Sequence, residues 1–202
     1  MDQPLKWLPD ASGTVWEPLG RAMQAGLPVP AGFIVFRSTP EQEVRAAYEQ
    51  MKIRERTHFV AVRGATHPLL NVIGPDPLIH TLRRLWAESP AAPVLVQRMV
   101  TSIWCGKAQG SGTHLKITAN EGMLLLDPDT YEDGHVVLSP KQRRMIRHVD
   151  GTPKVVERDG GREPIPAELL AKIRELAGRA SSNIGWAIDD LEKIWLLACE
   201  EH

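Results

Sequence analysis

Arg63 closes the apolar run "FVAV" (59–62) and is followed by Gly64. An arginine that ends a buried strand ahead of a tight turn can present its guanidinium to an anion such as a phosphate. The plainer alternative is a surface arginine paired with a nearby carboxylate. At the other end of the chain, "NIGWAIDDLEKIWLLACEEH" (183–202) reads as two short apolar strands around an acidic turn at Asp189, Asp190 and Glu192. A strand pair of this kind can carry the carboxylates of a metal site, because Mg²⁺ requires hard oxygen ligands. Here the strand interiors hold Gly185, Ala187, Ala198 and Cys199 instead, and no metal ligand is assigned. Glu200 and Glu201 are read either as substitute ligands in a shifted position or as solvated residues at a fraying end.

Other stretches have chemical potential and a simpler reading beside it. "GSGTH" (110–114) could cradle phosphate through its glycines, but it lies between strand-like segments and reads as a hairpin loop. "KQRRMIRH" (141–148) gathers Lys141, Arg143, Arg144, Arg147 and His148. Such a cluster can contact nucleic-acid phosphates; it also suits a solvated edge strand guarded by charge. Cys105 and Cys199 match no zinc or redox spacing. No residue type or spacing assigns a catalytic group. Trp7, Trp16, Trp86, Trp186 and Trp195 fit core or interface packing, whereas Trp104 beside Cys105 is a candidate exposed ring.

The elements that must position these groups follow from periodicity and punctuation. Trp16, Leu19 and Met23 repeat at helical spacing, Gly26 can end that helix, and Pro28 and Pro30 forbid its return. "GFIVF" (32–36) reads as a buried strand. Thr39, Pro40 and Gln42 look like a capping box opening a helix over 40–52, with Val44, Ala47, Tyr48 and Met51 on its apolar face. Asp76 and Pro77 open another helix, with Leu78, Ile79, Leu82, Leu85 and Trp86 on its stripe. "SPAAP" (89–93) is the linker candidate, giving lobes at 1–90 and 91–202. Strands are expected at 94–100, 114–118, 122–126, 134–138, 144–149 and 153–157, then a helix over 166–181 and the terminal strand pair. The expected class is α+β, a helix-rich first lobe followed by an antiparallel, strand-rich second lobe.

Composition sets outer limits. The 202 residues are 43% hydrophobic, enough for a core, and the net charge of −1 gives no global field for nucleic acid or membrane. The longest apolar runs are too short to span a bilayer, and "MDQPLKWLPD" does not read as a secretory signal. A reduced, cytoplasmic setting is the expectation.

Several stretches occur in an order that resembles a known family. "AGLPVPAGFIV" (25–35), "FVAVRGAT" (59–66), "LLNVIG" (69–74), "VLVQRMV" (94–100), "DPDTYEDG" (127–134) and "IGWAIDDLEKIWLLACEE" (184–201) are similar to segments of the ATP-binding domain of phosphoenolpyruvate synthase and pyruvate phosphate dikinase. The resemblance covers nearly the whole chain and implies a two-lobed ATP-grasp fold.

It also implies a function: a nucleotide-binding domain holding ATP or another adenine nucleotide. Gln97, Met99 and Val100 correspond to the adenine-side strand and Arg63 to a phosphate contact; Gln97 and Met99 share a strand face with Leu95, and ordinary sheet core is the other reading of them. The family's chemistry is phosphoryl transfer, which rests on positioning and charge stabilisation. This sequence departs from the pattern where that charge is handled. The family's Gly-Gly-Lys would fall near Gly13 to Val15, where there is no lysine. Its metal-binding glutamate aligns with Gly185, the glutamine of "LLQARP" with Ala198 and the arginine with Glu200. The resemblance therefore implies impaired phosphotransferase chemistry and puts Mg²⁺ in question. The alternatives are a pseudoenzyme scaffold for a protein partner or a non-nucleotide ligand, and nucleic-acid binding through 141–148. No membrane partner is expected.

Overall fold

Proline and glycine set the ends of the first elements, as their positions predict. The computed structural model describes residues 3–64, 68–110, 115–122, 129–132, 135–138, 142–147, 153–158, 165–180 and 183–200; within 129–158 it describes the backbone alone. These fall into two compact units, Met1–Met99 and Val100–His202.

The first unit runs β1 (Lys6–Trp7), a 3-10 turn (Leu8–Asp10), α1 (Glu17–Gln24), β2 (Gly32–Val35), α2 (Glu41–Glu55), β3 (Phe59–Arg63), β4 (Leu69–Ile73), α3 (Pro75–Glu88) and β5 (Val94–Arg98). After α1, Gly26 takes the left-handed conformation at φ +76°, and its N–H donates to the Met23 carbonyl at 3.0 Å. The expected capping box is absent. Pro40 occupies the N-cap of α2 and no side chain caps it. The Thr39 hydroxyl instead accepts from Phe36 N–H at 3.0 Å and donates to the Gln3 carbonyl at 2.9 Å, which fixes the turn before the helix.

The five strands pair in the order β1-β2-β5-β3-β4, every neighbour antiparallel. Strand alternation sorts the sheet's two faces. Phe33, Val35, Val60, Val62, Val94 and Val96 share one hydrophobic cluster with Val44, Ala47, Tyr48 and Met51 of α2 and Leu78, Ile79, Leu82 and Leu85 of α3. Each such side chain contributes roughly 1.5–3 kcal/mol when fully buried, so this cluster is the main reason α2 and α3 lie on the sheet. Ile34, Ala61, Leu95 and Gln97 occupy the opposite face. The expected boundary at 90/91 falls before β5, whereas β5 hydrogen-bonds between β2 and β3 at the centre of this sheet. The units therefore divide between Met99 and Val100.

The second unit comprises β6 (Ser102–Gln109), β7 (Lys116–Glu121), β8 (Asp129–Glu132), β9 (His135–Leu138), β10 (Gln142–Arg147), β11 (Pro153–Arg158), α4 (Ala167–Ala180), β12 (Asn183–Asp189) and β13 (Ile194–Glu200). Six strands form an antiparallel sheet in the order β13-β12-β6-β7-β8-β9, and β10 and β11 form a separate two-stranded ribbon. The expected strand at 122–126 lies almost entirely outside the described residues. Strand β6 had no expectation at all, yet it is central, paired to β12 on one side and β7 on the other. On the buried side of β12 stand Ile184, Trp186 and Ile188, and α4 packs against β12, β13 and β6. Trp186 pairs with Gly106, and Gly106 in turn pairs with Ala119, so small residues leave room for the indole. Among the described residues, no helix is long and apolar enough to cross a membrane.

Candidate functional site

In the first unit the register brings Arg63 and Gln97 to one face of the sheet. Ala61 pairs with Gln97 and Arg63 with Leu95 across β3 and β5, so Arg63 and Gln97 are diagonal neighbours opposite the helix-covered face. Arg63 is half-buried at the last position of β3, as its place before Gly64 predicts.

The Gln97 side chain is fully buried and its Nε2 donates to the Pro30 carbonyl at 3.0 Å. Small residues, Gly32 and Ala61, flank it on the neighbouring strands. A Cβ on Gly32 would come within 2.7 Å of the Val96 carbonyl oxygen and 3.2 Å of the Gln97 Cα, so the close approach of β2 to β5 requires glycine there. Met99 is also buried, and its sulfur accepts from Asn71 N–H at 3.2 Å while its own N–H donates to the Phe59 carbonyl at 3.1 Å. The contacts of both side chains are therefore structural ones that join β5 to its surroundings. Val100, half-buried, begins the second unit beyond the strand.

In the second unit the positions read from the sequence as altered ligands come together. Gly185 pairs with Ala198 on β13 and with Lys107 on β6, and Lys107 pairs with Thr118 on β7. These residues form one row across the sheet, on the face opposite Trp186. A Cβ built on Gly185 would lie 3.2 Å from the Ala198 Cβ, which shows how closely the two positions adjoin. Neither supplies a side-chain oxygen. Lys107, exposed beside them, lies 4.0 Å from the Glu200 carboxylate. Lys107 and Glu200 thus form an ion pair beside this row, while Gly185 and Ala198 themselves offer no oxygen of the kind Mg²⁺ takes. Glu200 faces Lys107 here, and Glu201 lies outside the described residues. Among the described residues no three His, Cys, Asp or Glu side chains converge.

Lys107 was missed because "SIWCGKAQ" was not read as a strand. Ser102, Cys105, Gly106 and Ala108 are buried and belong to both faces, so no clean two-residue alternation marks the segment.

The acidic turn serves structure. Asp189 Oδ1 accepts from the Leu191 and Lys193 N–H groups at 3.0 and 2.9 Å, and Oδ2 accepts from Trp195 Nε1 at 2.8 Å. The Lys193 ammonium lies 3.7 Å from the centre of the Trp195 ring. Asp189 thus closes the β12–β13 hairpin and holds the ring that packs beside it. Glu192, at φ +57°, lies 4.0 Å from the Lys172 ammonium of α4.

Of the remaining sequence features, residues 110–114 join the paired strands β6 and β7, and His114 lies outside the described residues. Gln142–Arg147 of the basic stretch forms β10, while Lys141 and His148 lie outside them. Trp104 is half-buried rather than open, and the neighbouring Ile103 is exposed.

The class defined by these two units, a helix-backed antiparallel sheet followed by a second antiparallel sheet, is the ATP-grasp fold. The chain is similar in structure to D-alanine–D-alanine ligase from Bacillus anthracis, with a TM-score of 0.52, 8% identity, and 89% of this chain and 53% of that chain covered. It is similar to the D-alanine–D-alanine ligase from Coxiella burnetii, with a TM-score of 0.52, 9% identity, and 89% and 44% covered. It is similar also to the Bacillus anthracis enzyme complexed with ATP, with a TM-score of 0.50, 9% identity, and 89% and 52% covered. The chain thus spans about half the length of these ligases. No family model matches the sequence, and no curated protein matches it.

Proposed function

We propose that the chain is an adenine-nucleotide-binding domain of ATP-grasp type, of the phosphoenolpyruvate synthase and pyruvate phosphate dikinase kind, with metal-dependent phosphoryl transfer impaired. The observation that carries binding is the fold, shared with a ligase whose structure contains ATP, together with Arg63 at the end of β3 on the same sheet face as Gln97. In this reading Arg63 contacts phosphate. Gln97, Met99 and Val100 form the base-side segment; the Gln97 and Met99 side chains make the packing contacts described above and the Met99 N–H donates to Phe59, so the Met99 carbonyl and the Val100 backbone are the groups proposed to meet the base. The observation behind impairment is the Gly185–Ala198–Lys107 row, where Gly185 and Ala198 offer no oxygen of the kind a metal would need.

Calorimetric titration with ATP, ADP and AMP, each with and without Mg²⁺, tests this reading. Binding that is insensitive to Mg²⁺ is expected. Arg63→Ala should weaken ATP about tenfold, the order of one charge-assisted phosphate contact, and weaken adenosine little. Absence of heat with every nucleotide would end it.

The same row favours a second reading, a pseudoenzyme scaffold that binds a protein partner or another ligand. Mg²⁺-dependent ATP turnover that disappears in Arg63→Ala would reject the scaffold and the impairment together.

A further inference from the structure

A cleft of about 340 Å³ opens in the first unit between the start of α2 and the second half of α3, under the loop that follows β2. It stands apart from Arg63 and Gln97, on the helical side of the sheet. Val44, Ile79 and Leu82 form its nearly buried floor, and the half-buried Trp86 supplies its open apolar surface. The Trp86 Nε1 already donates to the Ala92 carbonyl at 3.1 Å, which leaves the ring as an apolar surface. The polar part holds Arg37, Glu41 and Arg83. Arg83 is paired with Glu41 across the two helices. Arg37 is exposed and, among the described residues, has neither a hydrogen bond nor an ion pair. The cleft therefore presents one apolar ring over a buried floor, one internally neutralised ion pair and, among the described residues, one cation without a counter-charge.

We propose that this cleft binds a small organic carboxylate with an aromatic or branched apolar body. The volume falls at the lower end of small-molecule sites, which suits a single ring and a short acid arm. The body would lie against the Trp86 ring, and the carboxylate would meet the Arg37 guanidinium, whose fork of donors matches two oxygens. A cationic ligand would meet Arg37 unfavourably, and a neutral one would gain only the apolar contact.

The test uses the whole chain and phenylacetate as probe, followed by NMR at the Trp86 indole N–H, which is assigned by its loss in Trp86→Phe. A saturable shift at millimolar concentration is expected for a ligand of this size. Phenylacetamide, the neutral isostere, should bind about fivefold more weakly, as should phenylacetate to Arg37→Gln, the loss expected for a partly solvated ion pair. Ala87→Phe, which adds bulk at the rim, should also weaken the probe, and Arg63→Ala should leave it unchanged. No saturable shift, an equal response to phenylacetamide, or full affinity in Arg37→Gln would overturn the proposal. None of these outcomes depends on nucleotide binding.

Discussion

Gly106 and Gly185 stand one strand apart in the second sheet, on opposite faces, and they are glycine for different reasons. A Cβ on Gly106 would lie 2.6 Å from Trp186 Cζ2 and would overlap the Thr118 carbonyl. The core leaves no space for a side chain there. A Cβ on Gly185 would be crowded only by the Ala198 Cβ, at 3.2 Å, with the Ala198 N and Cα at ordinary contact distances of 3.6 and 3.9 Å, and β13, which carries Ala198, is an edge strand able to give by a few tenths of an ångström. Packing demands the first glycine and merely tolerates the second. The fold therefore does not by itself forbid a side chain at position 185.

Substitutions can break or sharpen this contrast. The largest effect is expected for Gly106→Ala. With backbone and a buried indole both in the way, it should destabilise by about 3 kcal/mol, read from the midpoint of urea unfolding. A loss below about 1 kcal/mol would mean that the strand pair has slack and that the two glycines are alike. Next comes Asp189→Ala, which removes the acceptor of three hydrogen bonds at the hairpin turn. An expected loss of roughly 2 kcal/mol, discounted for the partial exposure of the turn, would confirm a structural carboxylate. Nucleotide affinity should not change with it; a changed affinity would return Asp189 to the site.

Gly185→Glu should cost only about 1 kcal/mol, the edge-strand shift and its strain. Combined with Lys107→Ala, it should make ATP binding respond to Mg²⁺ by about fivefold, where the parent responds little. If unfolding is as severe as for Gly106→Ala, the glycine at 185 is a packing requirement after all. The smallest effect is expected for Gln97→Met. It removes one buried donor to Pro30 and, with it, a buried amide oxygen that has no hydrogen-bond partner among the described residues. The two changes offset, so stability should move by less than about 1 kcal/mol and ATP affinity should not move. A large loss of affinity alone would place the Gln97 side chain on the ligand.

Much of the site was legible residue by residue and little of it as geometry. The place of Arg63 at a strand end followed from "FVAVRG", and the doubt over metal followed from Gly185 and Ala198 set against the family that the sequence resembles. The adjacency of those two positions to Lys107 was not legible, because "SIWCGKAQ" shows no alternation. A core role for Gln97 and Met99 was one of two readings of the strand, but their partners were hidden. A period of two places them on one face but cannot say that Pro30 and Asn71 meet them there.

Amino-acid order alone determined the helices, the α+β class and the acidic hairpin turn, because those depend on contacts within a few residues: apolar repeats, glycine stops and proline starts. Sheet order was decided only in three dimensions. β5 follows β4 and α3 in the chain yet lies between β2 and β3, and β6 is flanked by β12. Such pairings join segments far apart in sequence and are selected by which faces can be buried together, a property that no local window of residues contains.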